Sequence, residues 1–182
     1  MTEIKIVEEA RKPLAMQPKQ FAMWLFIVTV CMLFAAWTSA YLVKRAEAGW
    51  SEIVLPTQFW INSLIIIASS ATMFWAQLCA RRDDLEKLKL ALALTTVLGA
   101  AFLVGQWIAW QQLTALNEYF TGGNVSHSFL YVLTGVHALH IIGGVVFLGI
   151  VLVATFRYQV HSKNILLLRL CATYWHFLDV LW

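Results

Sequence analysis

Five long apolar segments, separated by shorter polar ones, dominate the pattern of the chain. They cover residues 21–43, 59–80, 88–113, 128–156 and 165–182. A helix needs about 20 mostly apolar residues to cross the hydrocarbon core of a bilayer, because each residue advances it by about 1.5 Å. The pattern therefore predicts an all-α integral membrane protein, a bundle of five transmembrane helices.

The composition strengthens this prediction. Of the 182 residues, 60% are hydrophobic and 13% are charged, and the mean hydropathy is +0.71. A soluble domain is typically about one quarter charged, so lipid must receive most of this apolar surface. The three cysteines lie far apart in apolar stretches and form no CxxC pair, which argues against a disulfide framework and a zinc site.

Basic residues divide unequally between the two sides of the predicted bundle. The N-terminal segment holds four, the loop between the second and third helices four and the loop between the fourth and fifth two, which makes ten. The opposite loops hold two, Lys44 and Arg45. The positive-inside rule therefore predicts a cytoplasmic N-terminal segment, residues 1–20, a single transmembrane domain, residues 21–182, and a C-terminus outside.

The two ends of the chain add two expectations. Residues 1–20 are polar and mixed in charge, so no cleavable signal peptide is evident and the first helix is expected to act as its own insertion signal. The fifth segment is still apolar at Trp182, where a span normally has a polar flank. We therefore expect the natural chain to continue beyond this residue.

A few ionisable residues lie inside the predicted spans, where such groups are costly and are candidates for function. His137 and His140 lie in the fourth helix, and His176 and Asp179 in the fifth. The spacing of three places each pair on one face of its helix, and the helical rise places His137 and His176 at similar depth. Three interpretations are open: a haem or copper site, a proton relay, and an interhelical hydrogen-bonded cluster.

The first interpretation would use His137, His140 and His176 as copper ligands. A di-haem site is disfavoured, because the first three helices contain no histidine. A transporter is disfavoured because no paired, interrupted helices are visible. We favour a polar cluster of His137, His140, His176 and Asp179 that links the fourth and fifth helices, with no catalytic, cofactor-binding or metal-binding residue in this chain.

Three arginines are candidates for lipid contacts. Arg81 and Arg82 follow the second helix on the predicted cytoplasmic side, where basic residues attract phospholipid headgroups. Arg169 lies about one turn inside the fifth helix, close enough to extend its guanidinium to the headgroups. It suits a lipid phosphate and a partner's carboxylate equally well, so both alternatives stay open.

Several motifs resemble one known family. Residues 174–182, YWHFLDVLW, resemble the last-helix motif of subunit III of the haem–copper cytochrome c oxidases. Residues 134–140, TGVHALH, resemble the fourth-helix motif of its five-helix form. Shorter matches cover the other helices, and the resemblance runs in order from about Phe21 to the end. They are Phe59-Trp60-Ile61-Asn62-Ser63, Ser69-Ser70, Leu98-Gly99, Phe102-Leu103, Gln106 and Gly143-Gly144.

The resemblance implies an accessory, non-catalytic subunit III of an aa3-type cytochrome c oxidase in a bacterial cytoplasmic membrane. It implies that haem a and copper lie in subunits I and II, that subunit I is a direct partner, and that phospholipid is bound. Further subunits of the complex and a respiratory supercomplex are expected partners, and nucleic acid is not. The alternatives are a subunit of a quinol oxidase or nitric oxide reductase, or a stand-alone haem or copper membrane protein.

Two residues depart from the family pattern. Many members carry an intramembrane glutamate where this chain has Val30, and a second glutamate where it has Arg169. The first carboxylate is associated with proton supply in the family. Its absence argues against a role of this chain in that proton supply.

Overall fold

The computed structural model describes residues 17–47, 50, 54–116, 120, 125–158 and 165–182, and these residues form α-helices and turns without a strand. The helices are α1 (Pro18–Arg45), α2 (Thr57–Arg81), α3 (Leu85–Ala115), α4 (Val125–Phe156) and α5 (Leu166–Leu181). The predicted all-α fold of five helices is confirmed, and each predicted end lies within three residues of the observed one. Most of the predicted N-terminal segment, residues 1–20, lies outside the described residues.

Four of the helices, α1 to α4, are long and apolar enough to cross a membrane. The fifth has 16 residues and is therefore about 24 Å long. Large apolar side chains are exposed along the outer faces of all four long helices, as expected for surfaces that lie in lipid. The chain is thus a multi-pass membrane protein.

Local sequence explains where the helices begin and turn. Pro18 opens α1 and Pro56 precedes α2, positions at which a missing backbone N–H costs nothing. Asp84 caps α3 by accepting a hydrogen bond from the backbone N–H of Lys87 at 3.3 Å. Lys87 also donates its ammonium to this carboxylate at 2.6 Å, which holds the pKa of Asp84 below its ordinary value. Asp83 makes the turn between α2 and α3 with a φ of 54°.

Contacts between helix ends show that neighbouring helices run in opposite directions. The beginning of α3 meets the end of α4, where the Lys89 ammonium lies 5.5 Å from the centre of the Phe156 ring. The beginning of α2 meets the end of α5, where Trp182 donates to Ser63. We call the side of the bundle that carries Lys89 the basic side, and the other the opposite side.

The helices do not enclose one another equally. Among the described residues, helix α1 packs on α4 and α5 alone, and its buried residues are Ile27, Val30 and Phe34. In the described residues α1 and α2 make no contact with each other, although α5 contacts both, so α5 lies between them. The main core lies between α2, α3, α4 and α5, and includes Met73, Leu92, Leu148 and Trp175.

Candidate functional site: the polar residues inside the bundle

Two tryptophans of α5 are hydrogen-bonded to serines of α2. The indole N–H of Trp175 donates to Ser69 Oγ at 3.0 Å, and that of Trp182 donates to Ser63 Oγ at the same distance. The two serines are six residues apart on α2, so the two bonds lie about 9 Å apart along that helix. An indole N–H inside a membrane needs such a partner, since acyl chains offer none. These bonds fix the register of α5 against α2.

His176 adds a third connection between the same helices. Its Nδ1 lies 2.7 Å from Ser70 Oγ, and its Nε2 lies 3.3 Å from Gln77 Nε2. Since the amide nitrogen of Gln77 can only donate, the Nε2 atom of His176 accepts this hydrogen bond. The Nδ1 atom of His176 therefore carries the ring hydrogen and donates it to Ser70 Oγ. We call these bonds and the two tryptophan bonds the α2–α5 seam.

Asp179 lies one turn beyond His176 and takes no part in this hydrogen bonding. Its Oδ2 is 3.8 Å from His176 Nδ1, too far for a hydrogen bond, and within the described part of the chain neither carboxyl oxygen has another partner. The side chain is 8% exposed. Asp179 therefore contributes a buried polar group beside the seam without holding it together.

Two glycines enclose the Trp175 ring. A Cβ added at Gly99 of α3 would lie 2.7 Å from Trp175 Cη2, and one at Gly144 of α4 would lie 3.0 Å from Cζ3. The indole is 1% exposed, so it has no space into which to move. Both glycines are needed because the backbones of α3 and α4 approach the ring this closely.

A second set of polar contacts joins α2 to α3. Asn62 Nδ2 donates to Gln106 Oε1 at 3.4 Å, and Gln58 Nε2 donates to Asn62 Oδ1 at 3.1 Å. Gly105 makes room for this amide chain, because a Cβ there would overlap Asn62 Oδ1. The pair Asn62 and Gln106 is fully enclosed, and its mutual hydrogen bond satisfies groups that lipid cannot.

His137 has a very different environment. It is 2% exposed, and neither ring nitrogen has a hydrogen-bond partner among the residues that the structure describes. Aromatic rings surround it: the centroids of Trp182, Phe102 and Phe34 lie 5.1, 5.8 and 6.5 Å from its own. It also borders a cavity of about 350 Å³ between α1, α2, α4 and the end of α5. The imidazole thus packs as an aromatic ring.

His140 is bonded within its own helix. Its Nδ1 lies 2.7 Å from the carbonyl oxygen of Val136, and its ring lies 5.8 Å from that of Phe34 on α1. The hydroxyl of Tyr174 donates to the carbonyl oxygen of His140 at 3.2 Å, which joins α5 to α4. Val30, which stands where the family resemblance places a glutamate, is buried at 3% exposure.

The structure divides the four residues of the predicted polar cluster into two groups. His137 and His140 face aromatic rings on α1, on α3 and at the end of α5, whereas His176 faces serine and glutamine side chains of α2. The direct hydrogen bond between α4 and α5 comes instead from Tyr174. The sequence analysis did not identify Tyr174, Trp175 and Trp182 as residues that bond to other helices. The sequence feature that could have identified the two tryptophans is an aromatic N–H in one span with serines at a similar depth in another.

The proposed copper ligands do not converge. His176 bonds to α2, whereas His137 is enclosed by rings between α1, α3 and the end of α5. Within the described ranges, no three His, Cys, Asp or Glu side chains lie close enough together to hold a metal ion. A three-histidine site would therefore require α4 and α5 to rotate.

The candidate lipid contacts lie on the basic side. Arg81 and Arg169 are exposed and border one narrow cleft between α2 and α5, with Gln77 at its inner end. Arg82 is the C-terminal cap of α2 and is also exposed. The arrangement leaves all three guanidinium groups accessible from the basic side.

Known proteins resemble this chain over nearly its whole length. The family model described as cytochrome c oxidase subunit III matches residues 8–182. Proteins named cytochrome c oxidase subunit 3 from Thermostichus vulcanus and Synechocystis sp. are 29% and 31% identical to it. These alignments cover 86% and 90% of this chain and 79% and 71% of the relatives. One from Corynebacterium diphtheriae is 29% identical over 86% of this chain and 80% of the relative.

Proposed function

Since the chain belongs to the cytochrome c oxidase subunit III family, we propose that it is the accessory, non-catalytic subunit of an aa3-type oxidase. In this proposal it binds subunit I directly and subunit II and further subunits within the complex. Haem a and copper lie in those partners, which reduce oxygen and pump protons in aerobic respiration. The role of this chain is to stabilise that core.

One observation carries the proposal: four of the five polar side chains of the last-helix motif bond to neighbouring helices, and only Asp179 does not. In residues 174–182, the phenol of Tyr174, both indoles and the imidazole of His176 all bond to neighbouring helices. A catalytic site would need some of these groups to face a substrate or a bound cofactor. Here their hydrogen-bonding capacity is used for packing, which is what a structural subunit requires.

The proposed orientation has the basic side in the cytoplasm. The lipid proposal follows from it, because Arg81 and Arg82 would then lie at the level of the anionic headgroups of the inner leaflet. We propose that these two residues contact phospholipid headgroups. Exchange of both for glutamine should lower the amount of phospholipid that is retained by the purified complex, as measured by lipid mass spectrometry.

The test of the proposed function is purification of the tagged chain from native membranes in mild detergent. The expected result is a complex with a larger membrane subunit, whose a-type haem absorbs in the visible spectrum, together with a subunit that identifies the electron donor. A chain that purifies alone, or with haem or copper bound in proportion to itself, would refute the accessory role. Co-purification with subunits of a quinol oxidase or a nitric oxide reductase would change the electron donor in the proposal and would leave the accessory role in place.

A further inference from the structure

Two arginines of different helices border the narrow cleft at the basic end of the α2–α5 seam. Arg81 is the last residue of α2, and Arg169 lies in the first turn of α5. Both side chains are exposed. We call this cleft the α2–α5 cleft, and its lining residues are Gln77, Ala80, Arg81, Ile165, Leu168 and Arg169. Because like charges repel, two guanidinium groups at one cleft favour an anion between them.

The charge of the two arginines is not balanced within the described part of the chain. Asp84 and Glu86, which follow Arg81 closely in the sequence, pair with Lys87 and Lys89 at 2.6 and 3.1 Å. Among the described residues, the guanidinium groups of Arg81 and Arg169 have neither a hydrogen bond nor an ion pair. The α2–α5 cleft therefore presents two positive charges that an anion from outside the chain can neutralise.

Arg169 lies deeper in the span than Arg81. Ser69 of α2 and Trp175 of α5 are at one level, because they share a hydrogen bond. At about 1.5 Å per residue, Arg169 lies about 9 Å and Arg81 about 18 Å from that level toward the basic side. A guanidinium at this depth is costly unless it extends along the cleft toward the headgroups and meets an anion there.

The hydrogen bonds of the α2–α5 seam do not reach this end of the two helices. The one nearest the basic side joins Gln77 to His176. Beyond it, the described contacts between α2 and α5 are apolar and include Ala80 and Leu168. An anion bound by both arginines would add a polar connection where the seam has none.

We propose that the α2–α5 cleft binds the phosphate of one phospholipid, which is held by Arg81 and Arg169 together. A phosphodiester has two non-bridging oxygens, so it can accept hydrogen bonds from both guanidinium groups at once. The inference rests on the lipid contact proposed for Arg81, and it extends that contact to a single site that connects α2 to α5.

The width and position of the cleft favour a lipid over a carboxylate on a partner helix. The cleft is narrow and is lined by the buried side chains of Ala80 and Leu168, whereas a helix is about 10 Å across and cannot enter it. Arg81 lies at the end of its span, which is the level of the lipid headgroups. The membrane supplies phosphates at this level along the whole basic side.

A lipid titration of the purified protein tests the shared site. The protein is stripped of lipid in detergent and titrated with phosphatidylglycerol, and bound lipid is counted by native mass spectrometry. Arg81→Gln and Arg169→Gln should each lower the affinity of the tightest-bound lipid at least about tenfold. The double variant should lose little more than either single variant, because both arginines bind one phosphate. Losses that add in the double variant would overturn the proposal, since they would mean two separate lipids.

Arg157→Gln is the matched control for these variants. Arg157 follows α4 on the basic side and is exposed, but it does not border the α2–α5 cleft. Its exchange removes the same charge and should leave the affinity of the tightest-bound lipid unchanged. An equal loss in Arg157→Gln would show that net charge alone attracts the lipid, and would overturn the proposed site.

A thermal measurement identifies the source of the phosphate. Phosphatidylglycerol should raise the unfolding midpoint of the lipid-free wild-type protein, because a ligand that binds only the folded state stabilises it. Inorganic phosphate at the same concentration should leave the midpoint unchanged, since it has no acyl chains to hold it at the protein. An equal rise with inorganic phosphate would assign the cleft to a free anion and would overturn the lipid.

The single variants also separate this inference from the proposed function. If Arg81→Gln lowers lipid binding and Arg169→Gln does not, the lipid contact proposed for Arg81 stands and the shared site is refuted. If Arg169→Gln keeps its lipid and loses the haem-bearing subunit, the cleft holds a carboxylate of that subunit. The accessory role then stands, and this inference is refuted.

Discussion

Across the α2–α5 seam, both indole N–H groups and both nitrogens of His176 have hydrogen-bond partners, whereas the imidazole of His137 has none. Both regions lie inside the same bundle, and both belong to sequence motifs of the family. The seam uses polar atoms to fix which turn of α5 faces which turn of α2. His137 is held only by packing against aromatic rings. Substitutions in the two regions should therefore have different effects on stability.

The largest effect is expected where the seam has no space. In Gly99→Ala, the new methyl group would press on Trp175, whose ring is also confined by Gly144, and the indole could not keep its bond to Ser69. We expect a loss of stability of about 1–3 kcal/mol, the usual cost of overpacking. The unfolding midpoint of the purified protein in detergent measures this loss.

Gly149→Ala is the matched control for that substitution. No atom lies within 4 Å of a Cβ at Gly149, so the added methyl group meets open space. The alanine should leave the midpoint unchanged or raise it slightly, because alanine favours the helix. Equal losses in both variants would show that the Trp175 enclosure is not tight.

The next effect concerns the hydrogen bond itself. Trp175→Phe removes the indole N–H, leaves Ser69 Oγ without its donor and opens a small space, which together should cost about 1–2 kcal/mol. A double-mutant cycle with Ser69→Ala isolates the bond and should give a coupling energy of about 0.5–1 kcal/mol. A coupling energy of zero would mean that the hydrogen bond contributes nothing to stability and that Trp175 acts only through the packing of its ring.

A smaller effect is expected at His137. His137→Leu removes no hydrogen bond and places an apolar side chain against the surrounding rings. The stability should therefore change by less than about 1 kcal/mol in either direction. His176→Leu breaks two bonds and should lower the unfolding midpoint clearly. The comparison between the two regions fails if His137→Leu proves the more damaging of the two.

The smallest effect lies outside the membrane, at the cap of α3. The ammonium of Lys87 lowers the pKa of Asp84 in the folded protein, so the carboxylate stabilises the fold above the ordinary carboxyl pKa of the unfolded chain. This contribution is lost as the pH falls through the lowered pKa. The midpoint of Asp84→Ala should therefore lie below that of the wild-type protein at neutral pH, and the gap should narrow in acid; a gap independent of pH would contradict this explanation.

The sequence predicted the helices well, because about 20 apolar residues in a row leave few alternatives to a span. It also assigned His137 and His140 to the fourth span and His176 and Asp179 to the fifth, which is where α4 and α5 carry them. It did not predict which groups meet. Helical spacing assigns His137 and His176 a similar depth, but the rotation of α4 and α5 about their axes decides that one faces phenylalanines and the other serines.

That rotation was not accessible from the pattern, because the long helices are apolar on nearly every face. Packing against glycines fixes it: Gly99 and Gly144 admit the Trp175 ring, and the seam follows from the position of that ring. The two glycines stand in the sequence matches Leu98-Gly99 and Gly143-Gly144. Which side chain approached them depends on three helices at once.

The most direct test of the central claim, that these intramembrane residues serve packing and not cofactor binding, is the haem content of the complex when its histidines are replaced. The tagged chain carrying His137→Leu and His176→Ala is purified, the assembled complex is separated from free chain, and a-type haem is measured per copy of the chain in that complex. We expect fewer assembled complexes with an unchanged ratio of haem to chain. A ratio that falls with the histidines would show that they hold a cofactor, and would contradict the account.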